Sequence, residues 1–153
     1  MATGNNDCSI FIADDDKDDC LLIQKAMLDV GVKNPVQFLE DGQKLLDRLA
    51  DNLKTPDPNG KPKLPCLILL DLNMPRLDGR ETLKRLKKSA DLRKIPVVIM
   101  TNSKNPEDVE NAYKDGATSF LTKPSEFKDL VSIMEQLKIY WFQTVQLPLK
   151  PIG

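Results

Sequence analysis

The chain has 153 residues, of which 41% are apolar and 29% charged, the proportions of one ordinary globular domain with a hydrophobic core. Acidic and basic residues interleave to a net charge of −1, so no overall field favours nucleic acid. Histidine is absent, which excludes Ser-His-Asp and Cys-His catalytic systems and every metal site built on imidazole.

The N-terminus is rich in Asn and Asp without an apolar signal core, and no run approaches the ~20 apolar residues that cross a bilayer, so a cytoplasmic, membrane-free protein is expected. Cys8 to Ala13 reads as the first strand, and Lys17 to Val30 as a helix capped by Asp16 and stopped by Gly31. Pro35 to Leu39 is a short second strand, and Asp41-Gly42 opens a second helix carrying Leu45, Leu46, Leu49 and Leu53. The stretch KTPDPNGKPKLP, residues 54–65, has four prolines and reads as a surface insert within one domain whose core runs from about 8 to 147. Strand Leu67 to Asp71, a turn, a helix from Gly79 to about Ser89 and strand Ile95 to Thr101 follow. A helix from Pro106 to Asp115, strand Thr118 to Thr122 and a helix from Glu126 to about Val145 complete the chain. Five rounds of β-α alternation predict a doubly wound parallel sheet with right-handed crossovers. Cys8, Cys20 and Cys66 are odd in number, widely spaced and without a Cys-x-x-Cys pair, so they read as small buried hydrophobes in a reducing cytosol.

Four of the strands end in functional polar residues: Asp14-Asp15, Asp71, Thr101 and Lys123-Pro124. Ligands of open parallel sheets bind outside the carboxyl ends of the strands, so these residues should converge in one pocket. Two carboxylates about 4 Å apart repel by roughly 4 kcal/mol at an effective dielectric of about 20, a cost that a bound cation removes. Magnesium suits such a set because it takes oxygen ligands and keeps waters that a phosphate can replace. Taken alone, Asp14 to Asp16 would be a solvated capping turn, Thr101 a β-former and Lys123 a surface lysine; together they point to phosphoryl chemistry.

Asp14-Asp15, LLDLNMPRLDG at residues 69–79, VVIMTNS at 97–103 and FLTKP at 120–124 resemble a response-regulator receiver domain over essentially the whole chain. The resemblance implies a five-stranded, flavodoxin-like sheet of order 2-1-3-4-5. It makes Asp71 the phosphoacceptor for a sensor histidine kinase. Magnesium would be held by Asp15 and Asp71, with Asp14 acting through water and Asn73 through its backbone carbonyl. Lys123 would balance phosphoryl charge, Thr101 and Phe120 would be the switch pair, and Pro75 and Gly79 would shape the acceptor turn. Pro124 resembles the family's cis-proline, and Asn73 and Ser103 match positions that tune phosphoryl lifetime. A magnesium-dependent phosphohydrolase is the competing enzyme reading, but Asn73 stands where such enzymes carry a second carboxylate. The expectation is thus an acceptor without an output module, acting through another protein, rather than a turnover enzyme.

The last helix is too apolar for one buried face. Phe127, Leu130, Val131, Met134, Leu137 and Trp141 form the stripe expected to cover the sheet. Ile133, Tyr140, Phe142, Val145 and Leu147 lie off it. The insert, DLNMPRLDGRETL and the ending YWFQTVQLP resemble stand-alone regulators partnered with bacteriophytochromes, which implies a homodimer built on Ile133, Tyr140, Trp141 and Phe142.

Overall fold

The structure, a computed structural model, describes residues 8–60 and 63–147. Residues 61 and 62 of the expected insert, and the segment before Cys8, lie outside the described residues. Strands β1 (Ile10–Ala13), β2 (Val36–Leu39), β3 (Leu67–Leu70), β4 (Val97–Thr101) and β5 (Ser119–Thr122) alternate with helices α1 (Lys17–Asp29), α2 (Gly42–Lys54), α3 (Gly79–Lys88), α4 (Pro106–Lys114) and α5 (Phe127–Leu137). The strands form one parallel sheet of order β2-β1-β3-β4-β5, the doubly wound topology expected.

Alternate residues of each buried strand face opposite sides, so one sheet feeds two cores. Phe11, Ala13, Ile68, Leu70, Val97 and Ile99 pack with Leu45, Leu49, Leu83, Leu86 and Ala112 of α2, α3 and α4. Ile10, Ile12, Leu67, Leu69, Val98 and Met100 face Ile23, Ala26 and Met27 of α1 and Leu130 and Met134 of α5. Helix starts carry side-chain caps: Asp16 accepts from the amides of Asp18 and Asp19, Asp78 from Glu81, and Asn105 from Glu107. Gly31 and Gly116, with φ of 78° and 106°, end α1 and α4 where an L side chain would be strained.

Asp41 is fully buried, caps α2 through the Lys44 amide at 2.8 Å, and accepts from Arg76 Nε at 2.6 Å. Burial pushes its pKa up, but the Lys44 amide and the Arg76 guanidinium prevail and hold the carboxyl below its ordinary range. A depressed folded-state pKa means that Asp41 stabilises the fold above its unfolded value of about 4 and loses that contribution as pH falls through the folded value. The Tm deficit of an Asp41→Asn variant should therefore narrow between about pH 6 and about pH 3 in parallel melts. A gap independent of pH would show that the charge contributes nothing.

Two expectations are corrected at the ends of the molecule. Cys8 and Cys66 are joined in a disulfide with Cα atoms 5.6 Å apart, so they are not separate thiols. The β1–β3 register, Ile10 beside Leu67, brings the approaches to both strands together, and the Cys66 amide donates to Ser9 O at 2.9 Å. The bridge closes 58 residues, and loop-closure entropy assigns it about 4 kcal/mol of stability. Denaturant midpoints with and without dithiothreitol measure this. An unchanged midpoint in reductant, once thiol titration confirms reduction, would contradict it.

The final helix runs on to Thr144, near the expected end, but not as one α-helix. After α5 it widens into a π-helical segment, Lys138–Thr144, closed by the Val145 amide on Tyr140 O at 3.0 Å. The wider turn carries both Trp141 and Phe142 into the core beside α1, and Leu147 is buried there too. Trp141 and Phe142 are therefore core residues rather than surface, and Ile133 is half-buried. Tyr140 is exposed as expected, joined by Ile139. Leu21, Leu22 and Leu28 of α1 are also exposed.

Candidate functional site

Parallel register builds the site. Ala13 pairs with Leu70, and the Asp71 amide donates to Ala13 O at 3.0 Å, so the residues leaving β1 and β3 emerge side by side. Carboxylate oxygens of Asp14, Asp15 and Asp71 lie within 4.8 Å of one another. Asp14 and Asp71 are buried and Asp15 is exposed, giving a set open on one side.

Lys123, leaving β5, reaches across β4 into this group. Its amide donates to Thr101 O at 2.8 Å, which extends the β4–β5 ladder and aims the side chain. Nζ donates to Asp14 Oδ2 at 2.7 Å, Asp71 Oδ2 at 2.9 Å and Asp19 Oδ2 at 2.7 Å. Burial favours the neutral amine, yet the three carboxylates outweigh it and raise the lysine pKa. Burial raises Asp14's pKa above the ordinary carboxylate value, although Lys123 and the Asp16 amide pull it down. The Lys123–Pro124 bond is trans, since the described residues contain no cis peptide. The cis-proline expectation is therefore corrected: the ladder bond and the three carboxylates orient the lysine without it.

The remaining expected residues surround this group. Thr101 is fully buried at the end of β4, and its Oγ1 accepts from the Ser103 amide at 3.4 Å. Phe120 on β5 is half-buried against the core facing α4. Asn73 donates its amide to Asp71 Oδ1 at 3.3 Å, and Pro75 lies in the turn that follows. Gly79 starts α3 directly beneath the turn that follows Asp71, where a Cβ would fall 2.0 Å from Asp71 O. Backbone cannot yield to that contact, so Gly79→Ala should cost about 1–3 kcal/mol in denaturant unfolding. Wild-type stability in that variant would mean the turn is looser than its packing indicates.

Asp19 is the site residue that sequence reasoning passed over. It sits in the first turn of α1, where an acidic residue already suits the helix dipole, and that local explanation masked its contact with Lys123. Only the sheet order, which sets β5 on the same side of β1 with β3 and β4 between them, shows that the two can meet.

The model of the response regulator receiver domain matches residues 10–135, and the chain belongs to that family. A curated relative, the probable methanogenesis regulatory protein FilR2 of Methanothrix harundinacea, is 36% identical, covering 86% of this chain and 82% of its own. Response regulator Rcp1 of Synechocystis is 35% identical over 91% of this chain and 92% of its own. The Mn(2+)-bound form of Rcp1 superposes with a TM-score of 0.79, at 35% identity over 92% of this chain and 99% of that one. The phosphorylated cyanobacterial phytochrome response regulator RcpA does so equally, with a TM-score of 0.79 and 32% identity over 93% and 99%.

Proposed function

We propose that this chain is a phosphoacceptor switch in which Asp71 takes a phosphoryl group from the phosphohistidine of a sensor histidine kinase of the bacteriophytochrome type. The observation that carries this is Lys123 Nζ at 2.9 Å from Asp71, inside a set of carboxylates that repel one another. An Asp71 oxygen attacks phosphorus, the phosphorus–imidazole bond breaks, and the histidine leaves as the neutral ring once protonated. Lys123 supplies positive charge where the phosphoryl oxygens accumulate negative charge. All-oxygen donors, open on one side, fit a hard divalent ion. Asp15 and Asp71 would hold Mg2+, with Asp14 through water and the Asn73 carbonyl. That ion would neutralise phosphoryl charge in the transition state.

Thr101 and Phe120 form the readout: the hydroxyl turns toward the phosphoryl group and the aromatic ring follows by packing. The output is a protein–protein contact, so the chain works as a self-phosphorylating and self-dephosphorylating acceptor rather than a turnover enzyme. We place it in the cytoplasm, as one receiver domain over residues 1–153 that forms a homodimer through the Ile139-Tyr140 edge and Ile133. Sedimentation showing a monomer at high concentration, with and without an acyl-phosphate analogue, would remove the dimer. For the acceptor itself, intact mass after acetyl phosphate and Mg2+ should show one added phosphoryl group on Asp71. No uptake, or uptake of label only elsewhere, overturns the reading.

A further inference from the structure

The acceptor and the switch hydroxyl are connected a second way, along the rim of the site. Asn73 stands two residues past Asp71 and Ser103 two past Thr101, on loops leaving the neighbouring strands β3 and β4. Arg80, in the first turn of α3, donates from Nη1 to Asn73 Oδ1 at 3.3 Å. Its Nε and Nη2 donate as a fork to Asp108 of α4, at 3.1 and 2.9 Å. Ser103 Oγ donates to the same Asp108 at 2.5 Å. With the amides of Asn73 on Asp71 and of Ser103 on Thr101, the hydrogen bonds form a chain that runs Asp71, Asn73, Arg80, Asp108, Ser103, Thr101.

We propose that the Arg80–Asp108 ion pair is a positioning pair that holds Asn73 and Ser103 across the rim of the acceptor and thereby slows the attack of water on the phosphoryl group. This rests on the reading of Asp71 as phosphoacceptor. In hydrolysis, water oxygen bonds to phosphorus opposite the Asp71 oxygen, the phosphorus–carboxylate bond breaks, and inorganic phosphate and the free carboxylate leave with a proton to solvent. Asn73 and Ser103 leave the carboxyl ends of the neighbouring strands β3 and β4, the same edge of the sheet from which Asp71 projects. A forked arginine–carboxylate pair is among the stronger and more directional side-chain contacts. Both charges are kept: Asp108's pKa lies below the ordinary carboxylate range through Arg80 and then Ser103, and the hydrogen bond to Asp108 raises that of Arg80.

The test uses the full chain charged with acetyl phosphate and Mg2+, freed of excess donor, and followed by intact mass. Arg80→Gln and Asp108→Asn should each lose the phosphoryl group about fivefold to tenfold faster than wild type, the scale of one charge-assisted hydrogen bond. Uptake rates should match wild type, which a general loosening of the fold would not leave intact. The Arg80→Gln/Asp108→Asn double variant should be no faster than either single variant, because both remove one contact. Asp108→Glu, which keeps the fork's acceptor, should fall back toward the wild-type rate. Arg80 lies on the surface side of the pair, so its variant serves even if Asp108→Asn folds poorly. Decay within twofold of wild type in Arg80→Gln, or strictly additive singles, overturns the proposal. Failure of wild type to take up label overturns instead the acceptor assignment beneath it.

Discussion

An Asp71→Asn variant is expected to accept no phosphoryl group from acetyl phosphate or kinase, a loss of at least about 10^3-fold, because the nucleophile itself is gone. Asparagine keeps the shape of the side chain and the acceptor for the Asn73 amide, so the fold should survive. Lys123 would retain Asp14 and Asp19 as partners. The variant thus separates chemistry from architecture: far-ultraviolet circular dichroism and Tm should stay near wild type while the mass increment disappears. Persistence of label would show that another carboxylate, with Asp14 the nearest candidate, is the true acceptor.

Lys123→Gln should produce two effects of opposite sign. The lysine now offsets part of the repulsion among Asp14, Asp19 and Asp71, a role that a divalent ion would share at Asp14 and Asp71. Removing the ammonium should tighten Mg2+ binding by about tenfold. That corresponds to roughly 1.4 kcal/mol, only part of the ~4 kcal/mol that two unit charges about 4 Å apart exchange at an effective dielectric of about 20. Phosphoryl uptake at saturating Mg2+ should nonetheless fall by about 10^2, as when one preorganised stabiliser of transition-state charge is deleted. Calorimetric titration gives the first quantity and the time course of intact mass the second. Weaker Mg2+ binding in the variant would show that the ammonium orients the carboxylates for the metal rather than competing with it.

The sheet was legible because each buried strand is a short apolar run, and its order followed once the motifs at the strand ends suggested the family. Asp14, Asp15, Asp71, Thr101 and Lys123 could be named from their places at those ends, since parallel register delivers strand ends to one edge. Side chains acting across elements were less visible. Arg80 and Asp108 are ordinary helix residues until α3 and α4 are neighbours, and Asp19 already had a local explanation in its dipole. The tail was misjudged because helical periodicity assumes 3.6 residues per turn, and a π turn breaks that count at Lys138. The Cys8–Cys66 bond was missed because the two cysteines lie 58 residues apart in a set of odd number with no Cys-x-x-Cys pair. The register that makes it possible follows directly from placing β1 beside β3.

That bond leaves Cys20 as the free thiol among the described residues, and burial pushes it up to about 12, with its Sγ donating to Asp14 O at 3.6 Å. Thiolate is the reactive form, so Cys20 is nearly silent toward alkylating reagents at neutral pH. A maleimide stain applied to the native protein therefore reads oxidation state almost as a binary signal: dark when the bridge is closed, bright when it is open. The bridge precedes β1 and β3 whereas Asp14, Asp15 and Asp71 follow them, so the protein carries its own redox indicator at the pole opposite its acidic cluster.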